Sequence, residues 1–311
     1  MAFSLLRKSS QNGTVGLDVD GRYVAGVQTS AGKITAATST DLPEGLVADG
    51  EVVDPAGLGA ALKSFAAEAA LPRKVRLGVA NQQIVVRLIE LPPIEDPSER
   101  DAAVRFQAAE AIAMPLEEAV LDYHVVGHGE SAEDTRRMRV VVAAARRSMV
   151  EALVEAVRAA GLRAEGIDLD AFALVRMLAE ENGDGAEERA RIYCHLGGVT
   201  VLAIAAGTTC LFYRPLSTTW NGEQAVDTLG DEIRLSLDYY MAQPNALPSS
   251  ELVLSGPRSG DEELVQGLSV ALGLETVVAP PLGTLDSSAL AADEDPRRYT
   301  VAAGLALGAA A

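Results

Sequence analysis

Val15-Gly16-Leu17-Asp18-Val19-Asp20-Gly21-Arg22-Tyr23-Val24-Ala25-Gly26-Val27 decides how the rest of the chain is read. Apolar residues alternate on both sides of Asp20-Gly21, a dipeptide suited to a tight turn, so residues 14–19 and 23–29 are predicted to form an antiparallel hairpin. Ala31-Gly32 supplies a second turn into a third strand at 33–40. The order returns later, with strands predicted at 191–196, 200–205 and 208–215 and turns at Gly197-Gly198 and Ala206-Gly207. The chain therefore reads as two related halves. Each begins with a three-strand meander whose first turn is polar and bears glycine.

Working outward, Asp54 and Pro55 are an N-cap and a first helical residue, which predicts a helix over 55–69 followed by a buried strand at 76–80. In the second half Val226, Leu229, Ile233, Leu237 and Tyr240 recur at helical spacing within 223–241. A strand at 251–254, a helix at 261–272 and a strand at 275–278 follow. The small residues of 300–310 predict a helix packed inside the second half. Between the halves, strands at 83–91, 121–126 and 139–145 and helices at 98–113 and 149–160 form a compact α/β insertion. A helix over 168–181 leads across, and Gly183-Asp184-Gly185-Ala186-Glu187-Glu188 reads as a linker.

The 311 residues include 44 acidic and 26 basic side chains, a net charge of −18, which excludes a basic nucleic-acid footprint. Aromatic residues are 4%, too few for a base-stacking surface, whereas 48% apolar residues suffice for a core. The length fits two domains or one large α/β unit. No run has the roughly 18 apolar residues of a membrane span, and the first residues do not form a signal peptide, so a cytoplasmic protein is expected. Cys194 and Cys210 lack zinc-site spacing and read as reduced, buried thiols on strands. His124 and His128, four apart on a strand, are expected on one face but too distant to share a metal. Asp293-Glu294-Asp295 reads as a solvated loop.

A duplicated meander with a polar first turn resembles the fold of actin, Hsp70 and sugar kinases. The insertion sharpens this. Leu91-Pro92-Pro93, the run from Gln107 to Glu118 (QAAEAIAMPLEE) and Leu121-Asp122-Tyr123 resemble the PilM family of actin-like type IV pilus assembly proteins. Residues 42–54, Val141 to Arg147, Ala159 to Leu162, Asp168 to Leu174 and Glu232 to Tyr240 continue the resemblance in order over nearly the whole chain. It implies an α/β, actin-like (ribonuclease H-like) duplicated fold with an inserted SHS2-type 1C subdomain and a reduced 2B subdomain. The first half, 1A, would comprise 14–86 and 166–182; subdomain 1C, 87–165; the second half, 2A, 183–311. The family's work is that of a cytoplasmic adaptor at the inner face of the cytoplasmic membrane. It binds the cytoplasmic N-terminal segment of a PilN-like membrane protein and links the assembly platform to motor ATPases. Contact residues are expected within 14–86 and 87–165, with the membrane reached through the partner.

The resemblance also implies where a nucleotide would sit. The family's first phosphate turn, Asp-Ile-Gly-Ser-Ser-Ser-Val-Lys, corresponds here to Asp18-Val19-Asp20-Gly21-Arg22-Tyr23-Val24-Ala25. Asp18 is kept, as the magnesium-side acid if magnesium binds. Asp20 replaces a glycine, and a carboxylate facing a phosphate is repelled by about 4 kcal/mol at 4 Å and an effective dielectric of 20. Arg22 reads as a solvated turn residue. In the second turn, His195-Leu196-Gly197-Gly198-Val199-Thr200, histidine stands where an acid is expected and is a poor ligand for hard magnesium. In the adenosine turn Ser255-Gly256-Pro257, proline lacks an N–H. Only residues 221–231 bridge the place where the family carries a longer 2B subdomain. ATP and magnesium are therefore expected to bind weakly or not at all, with no cofactor and no catalytic residue.

The alternative reading is an actin-superfamily ATPase or small-molecule kinase, disfavoured by the same departures. A second is an FtsA-like division scaffold, disfavoured because 301–311 carry no charge where a basic amphipathic tail would be needed. Phe3, Leu5, Leu6, Arg7 and Lys8 offer at most a marginal membrane contact.

Overall fold

A computed structural model describes residues 14–130, 136–179, 189–217, 225–243 and 246–308. The expected N-terminal membrane contact, the 183–188 linker, residues 221–224 of the 2B bridge and the last residues of the 300–310 helix lie outside the described residues.

In chain order the first portion comprises β1 (Val15–Val19), β2 (Tyr23–Ser30), β3 (Lys33–Asp41), the two-residue strands β4 (Val47–Ala48) and β5 (Glu51–Val52), α1 (Pro55–Glu68) and β6 (Lys74–Val79). There follow β7 (Val85–Leu91), α2 (Pro97–Ala111), β8 (Ala119–Glu130), β9 (Arg136–Arg146), α3 (Arg147–Ala159), β10 (Arg163–Leu169) and α4 (Asp170–Leu178). The remainder is β11 (Ala190–Leu196), β12 (Thr200–Ala206), β13 (Thr209–Leu216), α5 (Ala225–Met241), β14 (Ser249–Ser255), α6 (Glu262–Leu272), β15 (Glu275–Val278) and α7 (Thr300–Leu307).

Two five-stranded sheets repeat one topology, β3-β2-β1-β6-β10 and β13-β12-β11-β14-β15. In each, three antiparallel strands form the meander and two further strands run parallel to its first strand. The parallel additions require crossovers, which run through α1 and α3 in the first sheet and through α5 and α6 in the second. Segment 85–146 forms its own antiparallel sheet, β7-β9-β8. Its alternation is visible in β9, where Val140, Val142 and Ala144 face α2 and Val141, Ala143 and Ala145 face the core of the first sheet.

Local chemistry explains the helices. Asp54 Oδ1 accepts the Gly57 N–H at 2.9 Å and Pro55 opens α1, while Leu58, Leu62 and Phe65 bury one face. Gly59 lets α1 and α3 touch, since a Cβ there would lie 2.9 Å from Ala159 Cβ. Asp261 caps α6, and Gly273 ends it at φ +66°.

Several expectations are corrected. α7 packs against β1, β2 and α4 of the first sheet, and not inside the second half to which 183–311 were assigned. Gly16 and Gly304 make this possible: a Cβ on Gly16 would meet Ala302 O at 2.0 Å, and one on Gly304 would meet Ala173 O at 2.0 Å. β10 was not anticipated. Arg163 and Ala164, expected in the insertion, pair with Lys74 and Val75 of the first sheet. Asp168 accordingly lies within a strand that ends at Leu169, and the helix predicted from 168 begins at Asp170. A register shift between Val125 and Gly127 makes His124 the partner of Val141 and His128 the partner of Met138, so these positions fall on opposite faces of the sheet. Asp295, read as loop, accepts the Arg297 N–H at 3.1 Å and caps a short 3₁₀ turn, Pro296–Tyr299. Cys194 and Cys210 are buried and unpaired on β11 and β13.

Candidate functional site

The two meanders place their first turns face to face. β1 ends at Asp18-Val19 and its turn carries Asp20, whereas β11 ends at His195-Leu196 and its turn carries Gly197-Gly198. Across 178 residues of sequence, Asp20 Oδ2 accepts the N–H of Gly198 at 2.5 Å. The approach is close enough to require glycine: a Cβ on Gly198 would lie 1.9 Å from Asp20 O, and one on Gly197 would lie 2.5 Å from Asp20 Oδ2. Gly21 supports the facing turn at φ +98°, and the Arg22 carbonyl accepts the Leu42 N–H at 2.8 Å. The Arg22 side chain is exposed.

Asp170, the first residue of α4, was not singled out from sequence, although it completes the acidic floor of this cleft. Burial, then the neighbouring Asp20 and Asp168, pushes its carboxyl up to about 8. Burial, then Asp170 and Asp20, holds Asp18 well above the usual carboxylate range. Asp20 is also raised by burial, although the Gly198 N–H, the Arg22 N–H and the Arg22 and Arg298 charges oppose the shift. Asp170 therefore keeps its proton at neutral pH, and burial moves Asp18 and Asp20 in the same direction. The signal for Asp170 was available as Asp168-Leu169-Asp170, two acids flanking a strand-to-helix junction.

His195 is buried, and burial pushes its imidazole down to about 4, so the ring is neutral. Its Nδ1 lies 3.0 Å from Ser255 Oγ, at the end of the adjacent parallel strand. Gly256 turns beneath it at φ +92°, where a Cβ would meet Leu196 O at 2.8 Å. Gly256 O accepts the Ser259 N–H at 3.0 Å, closing the turn around Pro257. Thr200 is buried and pairs with Leu196 and Leu216 as the second meander resumes.

The space enclosed here is small. The cavity lined by Asp18, Asp20, Asp170, His195, Val47 and Gly50 has a volume of about 30 Å³, room for about two water molecules. Part of its wall is the β4–β5 hairpin, also missed from sequence, where Gly50 packs with a notional Cβ 1.9 Å from Ala80 O. Asn81 Nδ2 fixes that hairpin by donating to Asp49 O at 2.7 Å. Among the described residues, no three His, Cys, Asp or Glu side chains converge as metal ligands.

A larger cavity, about 420 Å³, lies where the first sheet meets the inserted one, with Thr208, Thr209 and Cys210 of the second meander closing one side. Val125, Val126 and Val141 from the insertion face Phe172, Arg76, Asp168 and Arg176 from the first sheet and α4. Arg176 Nη2 is 2.9 Å from Asp168 Oδ2 and Arg76 Nη1 is 4.0 Å from the same oxygen, so the polar wall is internally paired.

The family model described as type IV pilus assembly protein PilM matches residues 22–215, which run from β2 through the insertion to β13. The chain belongs to the PilM family. A solved structure described as the PilM-PilN type IV pilus biogenesis complex matches at TM-score 0.80 and 25% identity, covering 96% of this chain and 99% of that one. The ethanolamine utilization protein EutJ from Carboxydothermus hydrogenoformans matches at TM-score 0.52 and 14% identity, covering 97% of this chain and 92% of that one, and shares the fold. The actin-like α/β architecture of this PilM-family chain thus agrees with the sequence reading. No helix among its described residues is long and apolar enough to cross a membrane.

Proposed function

We propose that this chain is an adaptor of the type IV pilus inner-membrane assembly platform and binds the cytoplasmic N-terminal segment of a PilN-like membrane protein. The observation that carries this reading is the end-to-end similarity, at TM-score 0.80, to a structure described as a PilM-PilN complex. The proposed seat is the 420 Å³ cavity between the first sheet and the inserted sheet. It draws on both portions expected to contact the partner, and its valine and phenylalanine walls suit apolar side chains of a short peptide. The chain would then work on the cytoplasmic side, at the membrane through its partner and linked to the motor ATPases.

The nucleotide site is degenerate in this reading, and the protein is not an ATPase or kinase. Asp20 supports this, because its carboxylate already accepts the Gly198 N–H that a phosphate would need. The 30 Å³ cleft also supports it, being far below the roughly 300 Å³ of a small-molecule site. So does His195, neutral and hydrogen-bonded to Ser255 in place of a magnesium-side acid.

The test is a pulldown with the N-terminal cytoplasmic peptide of a PilN-like protein, with and without ATP and magnesium. Equal capture in both conditions is expected. Failure to capture in either would sink the adaptor reading, and calorimetry showing micromolar ATP binding would sink the degenerate site.

A further inference from the structure

The second sheet and the inserted sheet meet edge to edge. β12 is the one strand neighbour of β13, and β9 is that of β7. The two edges pack together, yet among the described residues no backbone hydrogen bond joins them. Each edge thus presents main-chain N–H and C=O groups along the seam that its own ladder does not use. A groove of about 350 Å³ follows this seam, with Ile84, Phe212 and Pro215 among its lining residues. Tyr239 of α5 forms one wall, 52% exposed, with its ring 6.0 Å from that of Phe212. Leu235, one helical turn earlier and 61% exposed, extends the same ridge.

Arg87 and Arg214 also line the groove. Arg214 is exposed and makes no ion pair among the described residues. The opposing charge in the lining is Glu232, which accepts a hydrogen bond from Ser217 Oγ. On a chain of net charge −18, two arginines beside an apolar ridge form a basic and apolar surface.

We propose that this seam is a docking groove for an extended acidic segment of a partner protein. The segment would lie extended along the seam, beside Phe212 and Pro215. Its apolar side chains would rest on Phe212, Tyr239 and Leu235, and its carboxylates would meet the guanidinium groups in charge-assisted hydrogen bonds. No lining residue is shared with the cavity proposed for the PilN-like peptide, so the two could be occupied together.

The test uses the full chain and two fluorescent peptides of about ten residues, long enough to span β13 at roughly 3.3 Å per residue. One alternates valine with glutamate and the other valine with lysine. The acidic peptide should bind, more weakly as salt rises, and the lysine peptide should not. Arg214→Glu should weaken binding at least about tenfold, Tyr239→Ala should weaken it too, and the Arg87→Glu, Arg214→Glu double variant should now prefer the lysine peptide. Absence of saturable binding to millimolar concentration, or binding indifferent to Arg214→Glu, would overturn the proposal. So would a homodimer seen by sedimentation and broken by Arg214→Glu, since a second copy would then be the occupant. Loss of PilN-like peptide capture in that folded variant would overturn the separateness of the two sites.

Discussion

Replacing Asp170 with asparagine should stabilise the protein at about pH 8 and leave it nearly unchanged at about pH 4. Its carboxyl has an ordinary value of 3.8 and is pushed up to about 8 in the fold. Between these values the folded chain keeps a proton that the unfolded chain has released, so stability falls as pH rises through the window. About four pH units at roughly 1.4 kcal/mol each set a ceiling near 6 kcal/mol. Asp18 and Asp20 share the same protons, and asparagine gives up a helix-start charge worth about 0.5 kcal/mol, so a gain of about 2 to 4 kcal/mol at pH 8 is expected. Urea unfolding of both proteins at about pH 4, 6 and 8 measures it, with the two midpoints separating progressively as pH rises. A constant gap between the two proteins across pH, or a variant less stable than the parent at pH 8, would refute the reasoning. Asp18→Asn should show the same direction, because burial and its acidic neighbours raise that carboxyl as well.

Gly304→Ala should cost about 3 kcal/mol or more in chemical denaturation, because the added methyl would sit 2.0 Å from the Ala173 carbonyl oxygen. Val126→Glu, in the bulge that lines the larger cavity, should weaken PilN-like peptide binding at least about tenfold while circular dichroism stays unchanged. Burial pushes the thiols of Cys194 and Cys210 up to about 12, so a thiol reagent at neutral pH should label neither in the folded protein and both in urea.

The duplicated meander was legible because turn dipeptides and period-two alternation are local signals: Asp20-Gly21 and Ala31-Gly32 fall between strands, and Ala206-Gly207 ends β12 and opens its turn. The cap at Asp54 was legible for the same reason. What escaped depends on partners distant in sequence. β10 carries polar and charged residues, and its pairing with β6 rests on the parallel register rather than on alternation. α7 is apolar on every side, so its composition announces burial without naming the sheet that buries it. The candidate site divides in the same way. Asp18, Asp20 and His195 stand at strand ends that the repeat identifies, whereas Asp170 joins them only after α4 has been laid across the cleft.

The docking of α7 against β1 has a consequence for how the molecule is made. Residues 15–41 leave the ribosome well before residues 299–307 and can pair with one another at once. Their exposed face keeps Tyr23 and Val27 without their later cover until residues 299–307 have been synthesised. Translation thus reaches a long stage at which the first sheet exists but is unsealed, a natural substrate for a chaperone. A stop codon anywhere before Gly304 would strip the first sheet of its lid. Such truncations are expected to be cleared by proteases even though every residue of the first meander is intact.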